Sequence, residues 1–240
     1  MADLAKTLNQ MLERLQDDFQ RLSEFSSDLA HELRTPISNL LTQTQVTLTS
    51  KRENEVYKDV LASNAEELQR LARMVSDMLL LAKTERRVDL PHKEDFMAAD
   101  EVQALIDFYE AVADDKSIAL ALEGNGPVQG DRLMFRRALS NLMSNALRYA
   151  PSGSCVKITV ASRMNCTDIS VENSGEDIDP LLMPRLFDRF YRVDQARSHL
   201  GSDGVGLGLA ITKAIVEAHG GSVYASSARG ITRFTLTFPH

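Results

Sequence analysis

A histidine beside a glutamate, with a threonine one helical turn on and then a proline, is the first group in the chain that could do chemistry: His31-Glu32-Leu33-Arg34-Thr35-Pro36. The pair invites the zinc pattern H-E-x-x-H, but position 35 is threonine, so the second ligand is missing and zinc is set aside. An imidazole is a good nucleophile near neutral pH when a neighbouring carboxylate fixes its tautomer. Thr35 would share the helix face of His31, and Pro36 has no N–H for the Glu32 carbonyl, which predicts a bend. The same residues also read as a solvated histidine on a helix surface.

The second group is Asn141-Leu142-Met143-Ser144-Asn145-Ala146-Leu147-Arg148-Tyr149. At about 100° per residue, Asn141, Asn145, Arg148 and Tyr149 fall within an arc of roughly 100°. Two amides, a guanidinium and a phenol on one face could hold Mg²⁺, phosphate and a base, or form a polar surface. The third group is Gly201-Ser202-Asp203-Gly204-Val205-Gly206-Leu207-Gly208-Leu209, opening a helix. Such glycines let N–H groups turn toward an anion, or simply make a flexible turn. Neither a Rossmann nor a Walker pattern is present. Phe187, Phe190 and Tyr191, interleaved with Arg189 and Arg192, precede a polar stretch to Asp203 and read as an anchored lid or a plugged loop. His92, His199, His219 and His240 are scattered, and His219 beside Gly220 reads as a helix end.

The elements that must position these groups differ between the two halves. No glycine occurs in the first 90 residues, and all 12 lie beyond residue 120. Leu8, Met11, Leu15, Phe19, Leu22, Leu29 and Leu33 form one seam, and Leu61, Leu68, Leu71, Val75, Met78 and Ala82 a second. Thr49-Ser50-Lys51-Arg52 between them suits an antiparallel hairpin, and two hairpins would close a four-helix bundle across a two-fold axis. After a charged linker, helices are expected over 99–113, from an Asp131 cap through the Phe135, Leu139, Leu142, Ala146 stripe, and over 207–218. Strands are expected over 118–122, 155–162, 167–171, near Val223 and over 234–238, with a turn at Gly124-Asn125-Gly126-Pro127. Helices and antiparallel strands in that order give the fold class α+β: a helical hairpin and then an α/β sandwich. Cys155 and Cys166 would begin successive hairpin strands as inert core thiols.

Composition narrows the partners. The 240 residues carry 27 Lys and Arg against 34 Asp and Glu, a formal charge of -7, so nucleic acid is excluded as the main partner for want of a net basic surface. Two cysteines make no disulfide framework. No run of 18 apolar residues is present, and a soluble piece is expected.

Together these residues resemble the sensor histidine kinases of two-component systems, across nearly the whole chain. The His31 segment is similar to that family's phosphoacceptor box, 141–149 to its asparagine box, 186–193 to its phenylalanine box and 204–208 to its second glycine box. Arg-Arg-Ala-Leu-Ser-Asn-Leu at 136–142 and Leu-Phe-Asp-Arg-Phe-Tyr-Arg-Val-Asp at 186–194 resemble the copper/silver heavy-metal sensor kinases in particular. The resemblance implies four parts: the end of a signal-relay helix (1–22), a dimerisation and phosphotransfer hairpin (23–87), a linker (88–94) and an ATP-binding domain of the histidine-kinase, gyrase, Hsp90 and MutL type (95–240). It implies that His31 takes the γ-phosphoryl of ATP, that Glu32 orients or deprotonates it, and that Thr35 positions water for dephosphorylation. Asn145 would hold Mg²⁺ with Asn141 beside it; Arg148 and Arg192 would face phosphate, and Tyr149 the base. Asn173, Gly175, Ile178, Tyr191, Leu209 and Thr232 would complete the nucleotide site, and Gly204, Gly206 and Gly208 would shape the hinge of the lid. A homodimer, a response-regulator receiver domain as acceptor, and the cytoplasmic part of a bacterial inner-membrane protein anchored by upstream segments are implied as well.

The sequence departs from the family at the first glycine box, commonly Asp-x-Gly-x-Gly. Here it is Asn173-Ser174-Gly175-Glu176-Asp177, so the adenine-facing carboxylate is an amide and the second glycine an aspartate. An amide oxygen can still accept from adenine's amino group, without the charge. A Gly-Thr pair near the C-terminus is split by Ile231 between Gly230 and Thr232. Two other readings remain: an ATPase of this fold without phosphotransfer, and a degenerate kinase acting as a dimeric scaffold.

Overall fold

The structure is a computed structural model that describes residues 2–84, 92–193 and 205–240. The chain divides into two compact units, Met1–Arg73 and Met74–His240. The first consists of a long helix α1 (Ala2–Leu48) and the start of α2 (Asn54–Thr84). The connection falls where Thr49 to Arg52 predicts it. The Asn64 amide donates to Thr44 Oγ1 at 3.0 Å, tying the two helices together. Helix α1 runs on through Pro36. Most side chains of the first seam, Leu8, Leu15, Phe19 and Leu22 among them, lie outside those described.

The second unit begins with the last turns of α2, where Met74, Met78 and Leu81 are buried. A short strand β1 (Glu94–Met97) leads into α3 (Ala98–Asp115). Then come β2 (Ala119–Asn125), β3 (Pro127–Gly130), α4 (Arg132–Tyr149), β4 (Cys155–Ser162) and β5 (Cys166–Ser174). Helix α5 (Gly208–Ala218), β6 (Ser222–Ala228) and β7 (Ile231–Pro239) close the chain. The main sheet has the order β2-β4-β5-β7-β6, and α3, α4 and α5 pack on it. Alternation explains why: Val156, Ile158 and Val160 on β4, Ile169 and Val171 on β5, and Phe234, Leu236 and Phe238 on β7 all turn inward. They meet the Phe135, Leu139, Leu142, Ala146 stripe of α4, which is fully buried. Phe135 stacks against Phe96 and Phe238, with ring centroids 5.0 and 5.2 Å apart.

Three expectations need correction. The cluster at 124–127 is not a simple turn: Gly124 and Asn125 end β2, and Pro127 opens β3, which pairs with β1 in a separate two-stranded sheet. The pairing of β2 with β4 is parallel, because the chain crosses over through β3 and α4 before returning. Cys155 is exposed and Cys166 half-buried, so neither is a core thiol, although they do lie at opposite ends of the β4–β5 hairpin.

Asp131 caps α4 as expected, its Oδ1 accepting from the Met134 N–H at 3.0 Å. The Asp131 N–H is itself held by a residue 88 positions on: it donates to Nε2 of the buried His219 at 3.0 Å. A backbone N–H can only donate, so Nε2 is unprotonated, and Nδ1–H donates to the Ile215 carbonyl at 2.7 Å. Burial pushes the His219 imidazole below its ordinary range, with Lys93 acting the same way and the Ile215 bond and Asp131 opposing. The lowered value means that, on acidification, the unfolded chain binds this proton first. Stability from His219 is therefore complete above about pH 6.5 and is lost as pH falls toward the folded value. The His219 ring resonance should titrate with a midpoint below that of an exposed histidine; an equal or higher midpoint would contradict the neutral, doubly bonded ring.

Candidate active site

On the first unit, His31, Glu32 and Thr35 are all exposed on α1, with Leu33 and Pro36 half-buried. His31 and Thr35 stand one turn apart on the same face. Neighbouring helix positions diverge by about 100°, and no hydrogen bond joins His31 to Glu32 among the described residues. The imidazole is thus accessible and makes no hydrogen bond among the described residues.

On the second unit, the inward alternation of β5 runs Thr167, Ile169, Val171 and then Asn173, and that of β7 starts at Thr232. Asn173 and Thr232 are register partners, each only 6% exposed. The apolar face of the sheet therefore ends in a buried polar pair. The Asn173 amide nitrogen donates to the Ser174 carbonyl at 2.9 Å, leaving its oxygen as an acceptor. Gly175 follows, and a Cβ there would stand 3.3 Å from the carbonyl of Tyr149, so the polar pair lies beside the end of α4. Ile178 is half-buried, and its N–H donates to Ser227 Oγ at 2.9 Å. Ser227 Oγ in turn shares a hydrogen bond with Thr232 Oγ1 at 2.9 Å.

Along α4 the polar arc splits by role. The Asn141 amide donates to the Gly208 carbonyl at 3.0 Å, and Thr212 Oγ1 donates to the same carbonyl at 2.9 Å. Asn141 thereby braces α4 against the first turn of α5. Asn145, one turn further, is half-buried and makes no hydrogen bond among the described residues. Arg148 is half-buried in the last turn, and Tyr149 is exposed. The Asn145 amide, off the apolar stripe and without a partner, is free to take an ion or a phosphate.

The aromatic segment and the glycines meet at one point. Phe190 has a positive φ of 60°, and its N–H donates to the Gly206 carbonyl at 3.0 Å. Gly206 has φ +80°, and a Cβ there would fall 2.7 Å from the Phe190 backbone, so only glycine fits. Tyr191 is half-buried, with the Arg185 guanidinium 4.5 Å above its ring. Arg192 is half-buried, as is Leu209 in the first turn of α5. Gly204 lies outside the described residues. Asn173, Gly175, Ile178, Thr232 and the Tyr149 carbonyl are thus brought together, and Asn141 meets Gly208 and Phe190 meets Gly206 in two further pairs. Ser227 and Thr212 make hydrogen bonds to these residues that motif reading missed, and Asp177 holds the β6–β7 turn beside them. Ser227 and Thr212 carry no local signal, whereas Asp177 stood out as a departure.

An exposed histidine on a helical hairpin, followed by a sandwich whose sheet core ends in a buried polar pair, has the layout of a histidine-kinase core. Residues 21–87 match the His Kinase A (phospho-acceptor) domain. Residues 130–240 match the histidine kinase-, DNA gyrase B- and HSP90-like ATPase. The chain belongs to the sensor histidine kinases. It is 49% identical over 241 residues to sensor histidine kinase CusS of Escherichia coli (strain K12), covering 100% of this chain and 50% of that one. It is 42% identical over 240 residues to sensor protein IrlS of Burkholderia pseudomallei, covering 100% and 52%. The chain spans about half the length of the curated relatives it matches. Among solved structures it resembles the Acinetobacter baumannii histidine kinase AdeS, with a TM-score of 0.70 at 26% identity over 87% of this chain and 97% of that one. The histidine kinase ThkA, solved in complex with response regulator protein TrrA, shares the fold with a TM-score of 0.74 at 22% identity, over 93% and 63%. No helix among the described residues is long and apolar enough to cross a membrane.

Proposed function

We propose that this chain is the catalytic core of a sensor kinase that moves the γ-phosphoryl of ATP onto His31 and then onto an aspartate of a response-regulator receiver domain. The observation that carries the reading is the buried Asn173–Thr232 pair at the polar end of the sheet core, in a chain that also exposes His31. The free Asn173 oxygen suits adenine's amino group, and Ile178 and Tyr149 border the base. Phosphoryl transfer asks mainly for positioning and neutralised charge. The lone pair of an imidazole nitrogen forms the N–P bond as the bond from phosphorus to the β–γ bridging oxygen breaks, ADP leaves, and Glu32 receives the imidazole proton. Arg148 and Arg192 would lie toward phosphate charge.

The donor set fits Mg²⁺ held jointly by protein and nucleotide: Asn145 offers one unpartnered amide oxygen, and such an ion usually takes only one or two protein groups beside phosphate oxygens. When bound, Mg²⁺ would supply neutralisation of the phosphate charge. A homodimer is supported by Ile37, Leu41, Leu61 and Leu68 on the hairpin, each more than half exposed in the single chain and in need of cover. Anchoring to a bacterial inner membrane through upstream segments, and a role in copper or silver signalling, rest on the family resemblance.

The test is a chase: the chain is labelled with γ-³²P-ATP and Mg²⁺, then a receiver domain is added beside its Asp→Ala variant. Label should move from the chain to the receiver and not to the variant. Label appearing only as free phosphate would make the chain an ATPase, and no turnover at all would leave the scaffold.

Thr35→Ala separates two activities. A hydroxyl one turn from His31 can hold a water near a phospho-aspartate, whereas autophosphorylation uses the imidazole, Glu32 and ATP. The variant should keep autokinase activity and lose dephosphorylation of the regulator by about tenfold or more, the scale of a mispositioned reactant. Equal decay of phosphorylated regulator, with binding verified, would leave Thr35 a helix-surface residue.

A further inference from the structure

Asp177 stands where the family pattern has glycine, and its carboxylate grips the β6–β7 turn. Oδ2 accepts from the Arg229 N–H at 3.0 Å and Oδ1 from the Gly230 N–H at 2.7 Å. Both turn residues are left-handed, with φ of 57° and 75°, so consecutive N–H groups point to one side and form an anion-binding nest. Arg229 has a Cβ, so its φ is unfavourable in isolation, and a charge-assisted bond to its N–H offsets that cost. The Gly230 carbonyl accepts in return from the Gly175 N–H at 3.0 Å. Beyond it, the Ile178 N–H binds Ser227 Oγ, which is bonded to Thr232 Oγ1. The loop after β5 and the β6–β7 hairpin are thus laced together next to the Asn173–Thr232 pair.

We infer that Asp177 and Ser227 are positioning residues that hold the hairpin against this loop and so set the affinity for the adenine end of the nucleotide. The inference rests on the reading of this pocket as an ATP site. Both Asp177 oxygens are engaged by main-chain amides, so its effect passes through Asn173, Gly175, Ile178 and Thr232. The structure thereby accounts for the lost glycine: a carboxylate here fastens a turn whose first residue, Arg229, is not a glycine.

The experiment is ADP calorimetry together with the ATP dependence of autophosphorylation, on the whole chain and its Asp177→Ala, Ser227→Ala and Asp177→Asn variants. Loss of two charge-assisted bonds should raise Kd and KM about tenfold in Asp177→Ala, with the rate at saturating ATP within about twofold of the parent. Ser227→Ala should move in the same direction. Asp177→Asn, which retains one acceptor oxygen, should fall between parent and alanine. A parental Kd and KM in Asp177→Ala would overturn the inference, as would a lower saturating rate at unchanged KM. Should the alanine variant not fold, a parental Kd in Asp177→Asn does so. A parent chain that binds no ADP would instead sink the reading of the pocket as a nucleotide site, and the inference with it.

Discussion

Replacing His31 with glutamine is expected to abolish phosphoryl incorporation while leaving ATP affinity at the parental value. Glutamine keeps a polar side chain of similar reach at an exposed helix position, so folding should change little. Its amide nitrogen has no basic lone pair, so no N–P bond can form. The proposed nucleotide site draws on α4, the loop after β5, the β6–β7 hairpin and the start of α5, none of which carries residue 31. Label falling below about one hundredth of the parent with unchanged calorimetry separates the acceptor from the binding site. Undiminished labelling would remove His31 from the reaction.

The second large effect is expected at Asn145. The side chain is half-buried, makes no hydrogen bond among the described residues, and lies off the Phe135, Leu139, Leu142, Ala146 stripe. Asn145→Ala should therefore open no core cavity and leave the melting temperature near that of the parent. Autophosphorylation should fall by roughly 100-fold or more, the scale of deleting one preorganised contact to transferring charge. Asn141→Ala should behave differently, because Asn141 donates to the Gly208 carbonyl and braces α4 against α5. A parental rate in Asn145→Ala would exclude it from the proposed Mg²⁺ role.

What the sequence made legible was local. The Asp131 cap, the stripe on α4, the alternation of β4 and β5 and the connection near Thr49 each declare themselves within a few residues. What escaped was pairing over distance. Strands β1 and β3 bury only Phe96 and Val128 along with Gly130 at the end, too short a pattern to distinguish from a Pro-Gly turn. The parallel β2–β4 pairing depends on a crossover that alternation does not reveal. Asp177 was visible as a departure, but its partners lie 52 and 53 residues on, in a turn set by the left-handed Arg229. Likewise His219, read as a helix end, is also the acceptor for the N-cap of α4. The motif glycines and asparagines were readable one by one, and the hydrogen bonds that join them to distant residues were visible only in three dimensions.

Whether His31 is the acceptor is decided by locating the phosphoryl group itself. The whole chain, incubated with Mg²⁺ and ATP, would be digested at alkaline pH and its peptides mapped by mass spectrometry. The expected product is a single added phosphoryl on the peptide containing His31, lost in acid and stable in alkali. A phosphoryl found on serine or threonine and stable in acid, or on no peptide while ATP is consumed, would contradict the account.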